Sequence, residues 1–167
     1  MDARGIVASG SYGPPYEPLS PRSAGSRYTS ASQGHIVPTS VDYYKGMFYV
    51  GNLTTFPLIE GAAQVMQINK GGKIKSIIGG FTNIVAAVHD QQGNLYVLED
   101  TVGADVPSPD KGQVVKVSPS GNREILATGL SLPTAMTFGP DGALYVSNRG
   151  FGYPAGAGEI VRIAFDH

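Results

Sequence analysis

The run Gly142-Ala143-Leu144-Tyr145-Val146-Ser147-Asn148 decides the fold, because the chain contains it three times. It stands earlier as Gly93-Asn94-Leu95-Tyr96-Val97-Leu98-Glu99 and as Gly46-Met47-Phe48-Tyr49-Val50-Gly51-Asn52, with the tyrosines 47 and 49 residues apart. A glycine turn followed by a short apolar run centred on tyrosine reads as a strand entered from a hairpin. A near-constant spacing of this length marks a tandem architecture, in which one supersecondary unit stacks on the next.

Working outward, each copy is followed by a run with largely alternating polar and apolar positions. These runs are Gln64-Val65-Met66-Gln67-Ile68, Gln113-Val114-Val115-Lys116-Val117 and Glu159-Ile160-Val161-Arg162-Ile163. Such alternation suits a strand with one wet face. Each copy is preceded by another strand-like stretch: Pro38–Val41, Ile84–Val88 and Pro133–Phe138. A weaker fourth strand is expected around Ile74–Ile78 and Arg123–Ala127, and none is expected in the third copy. Glycine turns join strands 1 and 2 (Tyr44-Lys45-Gly46, Gln91-Gln92-Gly93, Pro140-Asp141-Gly142) and strands 3 and 4 (Lys70-Gly71-Gly72, Pro119-Ser120-Gly121). Four-stranded meanders in tandem predict an all-β β-propeller of six-bladed type. About three blades are present, near 36–80, 81–129 and 130–167. A β-sandwich is the alternative fold, but it has no reason to repeat at this period.

Composition agrees with that reading and excludes other classes. Gly 23 and Pro 12 in 167 residues punctuate the chain as many short strands require. A net charge of −1 leaves electrostatic nucleic-acid binding without a driving force. No apolar run is long enough to predict a membrane-spanning helix. The absence of cysteine removes disulfides and thiolate chemistry. Residues 1–35 are rich in Ser, Gly and Pro without periodicity, and are expected to be irregular or disordered. The first 30 also lack the charged start and apolar core of a secretory signal.

The run Leu132–Asn148 resembles an NHL-type propeller blade. Three further stretches carry a more particular resemblance to the ScyD/ScyE family of propeller proteins: Val37–Val41 with Tyr49–Pro57, Gly80–Ile84 with Leu95–Glu99, and Gly156–Ile163. The resemblance implies the C-terminal half of such a propeller, an extracytoplasmic setting and, in some members, an accessory role tied to scytonemin-type pathways. The chain departs from the family pattern at Ala86, where members often carry an acidic residue, and in the turn Asp90-Gln91-Gln92-Gly93, where they carry Gly-Pro-Asp-Gly.

A meander fixes which loops share a side. The strand 2–3 loops and the connections between units leave one side, and the short glycine turns leave the other. The long loops, Leu53–Ala62, Asp100–Lys111 and Arg149–Ala157, therefore form the expected binding side. Thr54, Phe56, Asp100, Asp105, Arg149 and Tyr153 are its candidate contacts, for a small molecule, a glycan or a protein. Asn52, Glu99 and Asn148 recur at one repeat position beside these loops, and their oxygens suit a hard cation such as Ca2+. The same residue types also end strands by bonding nearby backbone.

Three functions follow as expectations. The first is a non-catalytic binding or scaffold module. The second is a metal-assisted lactonase or esterase using Asn52, Glu99 and Asn148. The third is a truncated propeller without independent function. Three blades close no ring, so a homodimer completing six is expected to remove the open edges. His35, His89 and His167 form no metal-binding or catalytic spacing. Tyr49, Tyr96 and Tyr145 are expected to pack between neighbouring units.

Overall fold

A computed structural model describes residues 37–54 and 56–165. The irregular segment expected over 1–35 lies outside the described residues. Eleven strands and no helix occur among the described residues.

β1 (Val37–Tyr44), β2 (Met47–Leu53), β3 (Ala63–Asn69) and β4 (Ile74–Phe81) form the first sheet in chain order. β5 (Ile84–His89), β6 (Leu95–Glu99), β7 (Gly112–Val117) and β8 (Arg123–Leu130) form the second, again in order. β9 (Ala135–Phe138), β10 (Leu144–Asn148) and β11 (Glu159–Ile163) form a three-stranded third sheet. Every pairing is antiparallel. The chain is therefore all-β, with three consecutive antiparallel meanders.

Two strands run further than their periodicity suggests. β4 and β8 continue through Gly79-Gly80 and Thr128-Gly129, which read as breaks in sequence. The register explains why. Ala63 pairs with Phe81 while Gln64 pairs with Gly79, and Gly112 pairs with Leu130 while Gln113 pairs with Thr128. Gly80 (φ +85°) and Gly129 (φ +75°) are the extra residues of two equivalent bulges. A residue with a side chain would be strained there, so glycine keeps the strand paired beyond the kink.

Apolar side chains fill the spaces between sheets. Val65 and Phe81 of the first sheet pack with Ile84 and Val97 of the second. On the other side of the second sheet, Leu98 and Val114 pack with Leu144 and Val146 of the third. All five residues of β6 are buried because it is covered on both faces. The repeated tyrosines follow the same logic. Tyr49 meets the ring of His89 on the next sheet at 4.1 Å, and Tyr96 meets Phe138 on the next at 5.1 Å, both edge to face. Tyr145 has no following sheet among the described residues and is only half-buried.

Candidate functional site

The β2–β3, β6–β7 and β10–β11 loops are bonded into one surface. Leu58 N–H of the first loop donates to the Asp105 carbonyl of the second at 2.7 Å. Asp110 N–H of the second loop donates to Ser131 Oγ at 3.0 Å, and Ser131 Oγ lies 2.6 Å from the hydroxyl of Tyr153 in the third. Ser131 thus bridges two loops from the connection between the second and third sheets. The Arg149 guanidinium lies over the Tyr153 ring at 5.5 Å and 3.6 Å from Glu159 Oε1. Asp110, Leu132 and Arg149 hold positive φ without being glycine, at 58°, 46° and 54°. Such strain persists only where neighbouring contacts enforce it, and three of the four such residues among those described lie on the loop side, the fourth being Lys45 in the β1–β2 turn.

The three recurrent residues beside the loops act as clasps. Glu99 Oε1 accepts the Thr82 N–H at 2.6 Å, and Asn148 Oδ1 accepts the Ser131 N–H at 2.7 Å. In both units the side chain ties down the connection arriving from the preceding sheet. Each also pairs with the first polar residue of the next strand, but with the chemistry reversed. Glu99 Oε2 accepts from the Gln113 amide at 2.7 Å, whereas the Asn148 amide donates to Glu159 Oε1 at 2.8 Å. Asn52 instead accepts the Gln64 N–H at 2.9 Å and donates to the Leu53 carbonyl at 2.8 Å. All three residues are buried. A calcium ion would have to compete with N–H donors for both Glu99 oxygens and for the amide oxygens of Asn52 and Asn148. Among the described residues, no three His, Cys, Asp or Glu side chains gather to hold a metal. This donor set suits strand-end clasps better than a hard-cation cage.

The remaining candidates divide by exposure. Phe56 is 66% exposed, and Ile59, Val106 and Phe151 also stand out from the loops. Asp105 is exposed and enters the surface through its backbone. Thr54 is half-buried, and its hydroxyl has no partner among the described residues. Asp100 is buried beside Glu99. Its Oδ1 accepts from the Asn83 amide at 2.5 Å, while Asn83 Oδ1 is buried without a partner among the described residues. Burial pushes the Asp100 carboxyl up to about 6, the Asn83 hydrogen bond opposes that, and the Glu99 charge adds to it. A crevice of about 480 Å³ opens in the third unit between Arg149, Phe151, Tyr153 and Glu159.

The chain matches no family model and none of the curated proteins it was compared with.

Sequence reasoning missed the connection residues Thr82, Asn83 and Ser131, although one signal was available. Thr82 and Ser131 each stand 17 residues before the side chain that holds them. It also passed over a pair on the turn side. Asp42 Oδ2 lies 2.7 Å from His89 Nδ1 and accepts the His89 N–H at 3.0 Å. The pair spans the first and second sheets, and the residues are 47 positions apart, so no local motif marks them. A cleft of about 690 Å³ between these sheets is lined by Tyr44, Lys45, Tyr49 and His89.

Proposed function

We propose that the chain is a non-catalytic binding module, that its three sheets are blades of a six-bladed β-propeller of ScyD/ScyE type, and that the long-loop side is the binding surface. The observation that carries this reading is the bonding between loops of different units, through Leu58 to Asp105 and through Asp110, Ser131 and Tyr153. A surface fixed in this way loses little conformational entropy on binding. Its exposed tips, Phe56, Ile59, Val106 and Phe151, are apolar, while Asp105 and Arg149 are polar or charged at their side. Apolar tips with a polar surround suit the apolar face of a glycan or a protein surface.

The test is a thermal-shift screen of glycans and small molecules, since any ligand of the native state raises its apparent stability. Hits should stabilise the parent and fail to stabilise a Phe56→Ser/Phe151→Ser variant whose unliganded Tm is unchanged. Hits that survive those changes but are lost on Lys45→Ala would move the binding function to the opposite side.

A further inference from the structure

Each sheet carries two different faces, and the chain shows twice how they pair. The face that receives the preceding sheet places an aromatic ring at the end of its first strand. His89 pairs across the ladder with Leu95, and Phe138 with Leu144. The opposite face presents the repeated tyrosine. Tyr49 meets His89 edge-on, and Tyr96 meets Phe138 in the same way.

Among the described residues, one face of each kind is left without a partner sheet. On the first sheet, Tyr43 pairs with Phe48 at the position of His89 and Phe138. Cross-strand partners share a face, so Tyr43, Phe48, Val41 and Val50 form the receiving surface. Within it Tyr43 is 51% exposed and Val41 68%. On the third sheet, Tyr145 stands where Tyr49 and Tyr96 stand, with Thr137 and Arg162 beside it and Ile160 exposed on the same face. The ring of Tyr145 is already held in place. Its hydroxyl donates to Asp141 at 2.9 Å, as the Tyr96 hydroxyl donates to Asp90 at 3.0 Å.

We infer that these two faces dock in trans. The third sheet of one copy packs on the first sheet of a second copy, with Tyr145 edge-on against the partner copy's Tyr43, and the reverse contact closes the pair. The occupant is a second copy because the contact repeats one the chain already makes twice between its own sheets. The pairing of faces rests on the internal repeat. Closure at two copies, with six sheets, rests on the propeller reading.

Light scattering on the full chain should give twice the chain mass. Ile160→Asp, a change at an exposed site, should return the monomer with unaltered circular dichroism. The parent has no cysteine, so a Tyr43→Cys/Tyr145→Cys variant treated with a short bis-maleimide reports this contact alone. It should yield a covalent dimer. A monomeric parent would overturn the docking and leave the propeller reading standing. So would a dimer that neither crosslinks nor responds to Ile160→Asp overturn it. A crosslinked ladder of growing size would overturn the closed pair and the six-bladed ring together.

Discussion

The second and third sheets share a register and differ in what surrounds them. Tyr96 is 4% exposed because a sheet covers it, whereas Tyr145 at the same repeat position is only half-buried. Asp100 and Asn83 meet below the loops of the second unit, where the third has Arg149 and Leu132. The clasp is a carboxylate accepting from an amide in one and an amide donating to a carboxylate in the other. The backbone therefore fixes where a polar pair must sit and leaves open which partner carries the charge. What a repeat position contributes depends on whether another sheet lies over it.

The largest contrast is expected at the tyrosines. Tyr96→Ala should destabilise the chain by about 3–5 kcal/mol in urea unfolding, because it empties a slot between two packed sheets. Tyr145→Ala in the monomeric Ile160→Asp background should cost only a small fraction of that. Equal costs would mean that burial does not separate the two positions.

The next contrast is between Asp100 and Arg149. The folded chain holds the Asp100 proton up to about pH 6, whereas the ordinary carboxyl releases it near 3.8. Between those values folding takes up a proton, so stability falls as pH rises through the window and levels off above it. The contribution is about 2–3 kcal/mol for a shift of this size. Asp100→Asn should remove that slope and stabilise the chain at neutral pH, while Arg149→Gln should leave the slope intact. Unfolding midpoints measured from pH 4 to 7 decide it.

The strands were legible because Phe48-Tyr49-Val50, Leu95-Tyr96-Val97 and Leu144-Tyr145-Val146 repeat with their turns at nearly constant spacing. Local rules suffice for such runs. The ends of β4 and β8 were not legible, since glycine signals a break in sequence yet here forms a bulge inside a continuing strand. The long-loop side followed from chain direction alone. The roles of Asn52, Glu99 and Asn148 did not. Their oxygens suit a cation as well as an N–H donor, and the backbone N–H groups that Glu99 and Asn148 hold come from Thr82 and Ser131, each 17 residues earlier on the connection from the preceding sheet. Asp42 and His89 stayed hidden for the same reason, because the contact exists only once two sheets are stacked.

The smallest contrast tests whether the clasp is truly indifferent to where its charge lies. Glu99→Gln keeps an acceptor for the Thr82 N–H but makes it neutral, and neutral bonds are weaker than charge-assisted ones. It should cost about 1–2 kcal/mol. Gln113→Glu alone sets two carboxylates against each other at a contact now 2.7 Å long, so it should cost at least as much. The double change puts an amide on β6 and a carboxylate on β7, which is the arrangement of Asn148 and Glu159. If the backbone fixes only the pairing, the double variant should recover about 1 kcal/mol relative to the sum of the single changes. Strict additivity would show that Glu99 is held by its bond to Thr82 alone, and that the reversal between the two sheets is incidental.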